Sequence, residues 1–316
     1  APARSGGEQP HASGQPVLYR IRAPKKSFPQ TLCLRTARLP SPETRAIRQD
    51  TPLYFIPRRS TMKVTAIYFS PTGGSKKSAN TLAAALSGGS HAEIDLTPAD
   101  GTAVSHSFGP DDFVVFSVPC YKGRVPIIAV QRMAGIRGNQ TPCIVSVTYG
   151  NRDYDDALLE LHDLAAEKGF LVQGAAALVG RHTYGEIQVG RPDDKDAAEN
   201  RRFVEELRAA RHNDFSKAAT LHIKGQTPYR GEGSGGKFHP LTSDACTQCG
   251  LCVAECPTHA IADDCRTIDA AKCLSCFRCL RLCPVGAKNM DSEPYLSFAR
   301  DFSQKLAARR ENEYIL

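Results

Sequence analysis

The sequence predicts an α/β domain built on a doubly wound parallel sheet, followed by a small cysteine-rich α+β domain. Three observations carry this. From residue 62 to about 210, apolar runs of strand length alternate with amphipathic helical patterns, as in a sheet with helices on both faces. Most of those runs are apolar nearly throughout, which strands covered on both faces require. Beyond residue 240 the alternation stops, and nine cysteines crowd into residues 246–283, eight of them in two copies of one spacing. A chain of 316 residues suits two domains.

The first 61 residues hold 11 Lys and Arg against 3 Asp and Glu, with nine prolines and no sustained period. Such a segment buries too little apolar surface to offset chain entropy and is expected to be disordered. Met62 and Lys63 open directly on a strand, so residues 1–61 read as translated upstream sequence. The alternative is a transit peptide, Arg-rich and poor in acids, although prolines disfavour the helix such peptides form. This segment carries +8 of the net +7, leaving −1 for the remainder. No basic face for nucleic acid is implied, and no apolar run approaches the length of a membrane span.

Residues 64–69, 113–118 and 143–148 are apolar runs that read as central strands, and residues 170–179 are a weaker fourth. Residues 92–96 alternate apolar with acidic, which suits an edge strand. Helical patterns lie between them. Residues 76–86 stop at Gly88-Gly89, a plausible C-cap. Pro126 can open a short helix closed by Gly135. Residues 155–168 put Leu158, Leu161 and Ala165 on one face, and residues 193–211 do the same with Phe203, Leu207 and Ala210. The first domain is therefore placed at 62–230.

Gly231, Gly233 and Gly236 spell G-x-G-x-x-G, but no strand precedes and no helix follows. Residues 231–240 read instead as a flexible linker. The cysteine-rich domain is placed at 241–290. In the last segment, 291–316, a helix begins at Pro294. Its stripe of Phe298, Phe302 and Leu306 is expected to dock on the first domain.

Two motifs carry chemistry. The first strand runs into Ser70-Pro71-Thr72-Gly73-Gly74-Ser75, and a helix follows. Free amides, the helix dipole and three hydroxyls there make an anion site. Alone, this turn is equally a capped helix start, and it is not a Walker A loop. Lys76 and Lys77 sit in the first helical turn, where a bound phosphate would offset the unfavourable dipole.

The second motif is C-x2-C-x2-C-x3-C-P, present twice. Cys246, Cys249, Cys252 and Cys256 precede Pro257, and Cys273, Cys276, Cys279 and Cys283 precede Pro284. Zinc ribbons use two C-x2-C pairs, and zinc does not require this doubled pattern of threes. Residues 244–290 resemble the bacterial ferredoxins that carry two [4Fe–4S] clusters, in which the fourth cysteine of each run ligates the other cluster. The resemblance implies one cluster on Cys246, Cys249, Cys252 and Cys283, and a second on Cys273, Cys276, Cys279 and Cys256. Cys265, between the runs, reads as a small apolar filler. Reduced thiols imply a cytoplasmic setting.

Ser-x-Thr-Gly-x-Ser after a first apolar strand is similar to the FMN-phosphate loop of flavodoxins. All of residues 62–316 resembles the flavodoxin–ferredoxin fusion proteins of anaerobic bacteria. The resemblance implies a flavodoxin-like sheet of order 2-1-3-4-5 with FMN at the switch point. It assigns Ser70, Thr72, Gly73, Gly74 and Ser75 to the phosphate. The loops after the third and fourth strands would flank the flavin ring, with Pro119, Tyr121, Gly123, Thr148, Tyr149, Gly150 and Asn151 as contacts. Tyr154 is expected to pack at a helix start, and Cys120, His182 and Tyr184 are expected to be loop residues.

No Ser/His/Asp or Cys/His grouping and no paired carboxylates are evident, so no catalytic side chain is assigned. The expected function is electron transfer between two [4Fe–4S] clusters and FMN. It ends either in reduction of a small acceptor or in delivery to redox partner proteins. A redox-sensing or zinc-bound interaction module without flavin is the alternative from another class.

Overall fold

The computed structural model describes residues 62–99, 105–231, 233 and 235–316. The expectation for residues 1–61 lies outside them.

The first domain runs β1 (Lys63–Tyr68), α1 (Gly74–Ser87), β2 (Ala92–Asp95), β3 (His106–Phe108), β4 (Asp112–Pro119), α2 (Ile127–Arg132), β5 (Ile136–Gly138), β6 (Thr141–Tyr149), α3 (Ala157–Glu167), β7 (Phe170–Val179) and α4 (Asp194–Ala210). With a late strand β10 (Glu313–Ile315), the main sheet has the order β10-β7-β6-β4-β1-β2, and the five strands β2, β1, β4, β6 and β7 pair in parallel. Numbered along the chain, those five read 2-1-3-4-5, the doubly wound flavodoxin-like order.

Burial explains the patterns that predicted the strands. All of β6 is buried, and β4 is buried apart from its two ends. β2 at the edge is half-buried only at Ile94. Along β1, Val64, Ala66 and Tyr68 face a core formed with α1 and α4, including Leu82, Phe203 and Leu207. Ile67 and the following Phe69 face the opposite core, which holds Met133 of the α2 region and Leu158 and Leu161 of α3. Each such leucine, fully buried, contributes about 1.5–3 kcal/mol. α1 ends at Gly88 in the left-handed region, φ 75°, as its glycines predicted.

The second part holds β8 (Leu241–Thr242), α5 (Leu251–Ala254), α6 (Arg278–Leu282) and β9 (Lys288–Asn289), then α7 (Glu293–Lys305) and β10 (Glu313–Ile315). β8 and β9 pair antiparallel. The backbone repeats with the cysteines. Gln248, Gly250 and His259 have positive φ, and so do Ser275, Phe277 and Gly286, each 27 residues further on. One loop-and-turn unit is therefore present twice.

Three features differ from the sequence reading. β10 adds antiparallel to β7, pairing Glu313 with Ala177 and Ile315 with Ala175. β3 and β5 form a separate parallel pair. Segments of three residues carry too little periodicity to announce themselves. The glycine-rich connector is also pinned where it is described. Gly233 accepts from the Ile127 amide at 3.1 Å, Gly231 accepts from Arg124, and the Gly236 amide donates to Ser275 Oγ at 3.1 Å. Its composition promised flexibility, but its backbone groups found partners on both sides.

Candidate functional site

β1 delivers the chain into the 70–75 turn, and α1 leaves from it. The N-cap is Gly73, held at φ 88° with no side-chain cap, and the first turn has no acidic residue. A left-handed glycine lets the turn close without a Cβ, and the missing cap leaves helix amides for an anion. The turn is braced from behind. Ser70 Oγ accepts from the Lys76 amide at 2.9 Å, and the Ser70 amide donates to Thr97 Oγ1 at 2.8 Å. The two lysines part company. Lys76 turns away to pair with Glu93 at 3.0 Å, while Lys77 borders the cavity above the turn and donates to the Pro192 carbonyl at 2.6 Å.

That cavity measures about 630 Å3, within the usual range for small-molecule and cofactor sites. Its wall includes Ser70, Thr72, Gly73, Gly74, Ser75, Pro119, Tyr121, Thr148, Tyr149 and Gly150. Buried polar atoms without partners lie along it: Thr148 Oγ1, the Tyr149 and Tyr184 hydroxyls and Arg181 Nε. Buried groups of this kind ordinarily find partners, so the wall has the donor set of a site built for a polar ligand. Among the described residues, its charged residues are Lys77, Lys122, Arg152, Arg181, Arg191, Lys237 and Arg281, with no Asp or Glu. An anion is the ligand this field favours.

Two of the residues assigned to the ring lie elsewhere. Asn151 is buried and donates to the Leu306 and Ala308 carbonyls at 2.8 and 2.7 Å. It also accepts from the Arg310 amide at 3.2 Å, so it fastens the tail and not the cavity wall. Gly123, at φ 81°, packs on Asp155, whose carboxylate would lie 2.5 Å from an added Cβ. Tyr154 is fully buried and donates to Glu313 at 2.7 Å. The Cys120 thiol borders the cavity, but burial pushes its pKa up to about 12, which keeps it protonated and unreactive.

Residues outside the expected loops complete the enclosure. His182, Tyr184, Gly235, Gly236, Leu274, Ser275, Phe298 and Phe302 all border the cavity. The stripe of α7 thus docks as predicted and also walls the site. Phe302 meets His182 edge-on at 5.0 Å. Gly236 is required here, because an added Cβ would lie 1.8 Å from the Tyr184 hydroxyl.

The cysteines gather around two small hollows. Cys246, Cys249, Cys252 and Cys283 border one, together with Cys265. Cys256, Cys273, Cys276 and Cys279 border the other. Among the described residues, no three or more His, Cys, Asp or Glu converge as ligands of a single ion would. Thiols set around a hollow suit a cluster, which spans several atoms. Amides already point at the sulfurs: Ala260 N–H to Cys256 at 3.3 Å, Ala287 N–H to Cys283 at 3.2 Å and Ser275 N–H to Cys273 at 3.4 Å. Such bonds stabilise thiolate charge and raise cluster potentials. Cys265 donates to the Asp263 carbonyl at 3.8 Å. Its place beside the first hollow has no signal in the motif spacing.

The second hollow adjoins the cavity, and Leu274 borders both. The two parts of the chain are tied on either side of it. Arg278 donates to the Pro71 carbonyl at 2.9 Å and to the Glu255 carbonyl at 3.0 Å. Buried Arg132 donates to the Leu96 and Thr97 carbonyls at 2.6 and 2.8 Å and also to Pro257. No helix among the described residues is long and apolar enough to cross a membrane.

Residues 240–262 match the family of the 4Fe-4S binding domain. No curated protein matches the chain. Among solved structures, the chain is similar to the flavodiiron core of Flv1 from Synechocystis sp. PCC6803, at 16% identity and TM-score 0.34 over 48% of this chain and 37% of that one. It is also similar to rubredoxin oxygen:oxidoreductase from Desulfovibrio gigas, at 13% identity and TM-score 0.35 over 48% and 37%. A flavodoxin of Streptococcus pneumonia TIGR4 aligns at 16% identity and TM-score 0.33, over 46% of this chain and 98% of that one. The chain thus spans about 37% of the length of the first two. The strand order of the sheet itself carries the fold, and the cysteine-rich part carries a 4Fe-4S binding domain.

Proposed function

We propose that the chain is a cytoplasmic iron–sulfur flavoprotein that relays single electrons between two [4Fe–4S] clusters and one FMN, and delivers them to a small acceptor. The observation that carries this reading is Leu274, one side chain bordering both the cavity and a four-cysteine hollow. A cofactor in each space would be separated by little more than that residue.

FMN, when bound, supplies the conversion between one-electron and two-electron transfer. The residues do the rest. The 70–75 turn and the uncapped start of α1 receive the phosphate. Tyr121, Thr148, Tyr149 and Gly150 border the space for the ring, and Leu274, Phe298 and Phe302 limit water there. Cys246, Cys249, Cys252 and Cys283 hold one cluster. Cys256, Cys273, Cys276 and Cys279 hold the other, nearer the cavity.

Anaerobically purified protein should yield FMN on extraction, together with iron and acid-labile sulfide for two clusters. Cys283→Ser should lower iron and sulfide by about half, with one cluster's EPR signal lost. Protein that holds zinc and neither flavin nor sulfide would overturn the reading. Reoxidation of the reduced protein by a small quinone alone is expected, and its absence would make the chain a carrier between redox proteins.

A further inference from the structure

The phosphate turn explains only part of the cavity's charge. α6 lies against that turn, because Arg278 donates to the Pro71 carbonyl. Arg281 is three residues further along the same helix, on the same face, and borders the cavity. Arg181 approaches from the loop after β7 and borders the same space. Among the described residues, the carboxylate paired with Arg181 is that of Glu186, at 3.2 Å with its side chain 74% exposed, and the buried Arg181 Nε has no partner. Among the described residues, no hydrogen bond or ion pair holds the Arg281 guanidinium.

Two like charges brought to one cavity from separate parts of the chain repel. Arg191, beside them, is different, since Asp196 neutralises it. A guanidinium pair with a single, exposed carboxylate at Arg181, bordering the same cavity as the hydroxyls and helix start of the 70–75 turn, has the donor arrangement for a tetrahedral dianion. We propose that Arg181 and Arg281 are the two jaws of a clamp for a phosphate monoester, one from each part of the chain. The phosphate is either that of the flavin, in which case the clamp rests on the flavin reading, or that of a second, phosphorylated molecule in the same cavity.

The test uses the full chain, with clusters intact and flavin stripped. FMN and riboflavin are titrated by flavin fluorescence into wild type, Arg181→Gln, Arg281→Gln and Arg281→Lys, with equal iron and sulfide content as the control for folding. A clamp on the flavin lowers FMN affinity about tenfold or more in either Gln variant. It leaves riboflavin affinity unchanged, and Arg281→Lys recovers part of the loss. A clamp on a second molecule leaves both flavin affinities unchanged, and calorimetry shows weaker binding of inorganic phosphate to the FMN-loaded Gln variants. An unchanged FMN-to-riboflavin ratio together with unchanged phosphate affinity overturns the clamp. Protein that binds neither flavin overturns the flavin reading instead, and phosphate titration of that same protein still decides the clamp.

Discussion

His182 shows what burial does to a single side chain at this site. Its Nδ1 accepts from the Tyr184 amide at 2.8 Å, which leaves the ring proton on Nε2. Burial, the largest cause, lowers its pKa from 6.5 to about 4. Between those values the unfolded chain takes up a proton that the folded one refuses. Stability is therefore full above pH 6.5 and is lost as pH falls toward 4. Going from pH 7 to pH 5 should cost about 2 kcal/mol at this residue. Urea unfolding at the two pH values should show a smaller difference for His182→Gln than for wild type, and equal differences would refute the assignment. At this scale the sequence was an uneven guide. Ser70, Thr72 and Ser75 were legible because a turn between an apolar strand and a helix fixes where hydroxyls point. Asn151 and Gly123 were not, because loop position says nothing about which side chains turn inward. Asn151 is used by a tail over 150 residues away in sequence, and no local pattern records that.

Among the elements, α4 shows how much a helix start can carry. Asp193 caps it. Its carboxylate accepts from the Asp196 amide at 3.0 Å, and the Asp196 carboxylate accepts in return from the Asp193 amide at 2.7 Å. Arg309 also pairs with Asp193, at 2.8 Å. That charge, and then the Asp196 amide, hold the Asp193 carboxyl well below the usual carboxylate range. Asp193→Ala should cost about 1–2 kcal/mol, read from urea unfolding at neutral pH. Asp193→Asn keeps the cap and should cost less. The contribution is present above the ordinary carboxylate pKa and fades in acid. α4 was legible because its apolar period places Phe203 and Leu207 on one face. So were the buried strands, whose composition is dictated by helices on both faces. β10 was not legible, since three residues derive their conformation from the β7 edge they join. The connector was misread for a related reason. Glycine signals freedom of the isolated chain, whereas here Gly231, Gly233 and Gly236 allow close approach to neighbouring backbone and side chains.

For the whole molecule, the question is whether the two parts unfold as one. Arg132 is buried and serves carbonyls on both sides of the junction, Leu96 and Thr97 on one and Pro257 on the other. Arg132→Met would fill much of the same space but leave those carbonyls without their donor. Each unsatisfied buried group costs about 1–3 kcal/mol. Wild type should lose its iron absorbance and its helical circular dichroism in one urea transition. In Arg132→Met, iron absorbance should fall at lower urea than the helical signal. Coincident transitions in the variant would show that Leu274, Arg278 and α7 suffice to couple the parts.

The pairing of β10 with β7 has a consequence for how the molecule is made. The two strands flank the whole cysteine-rich segment in sequence. During synthesis the five parallel strands emerge with the outer edge of β7 uncovered, and it stays so until every cysteine has left the ribosome. Nascent chains tend to fold from the N-terminus onward, and an open strand edge invites foreign pairing. The last strand therefore acts as a latch on assembly, closing the sheet only after both cysteine runs have emerged.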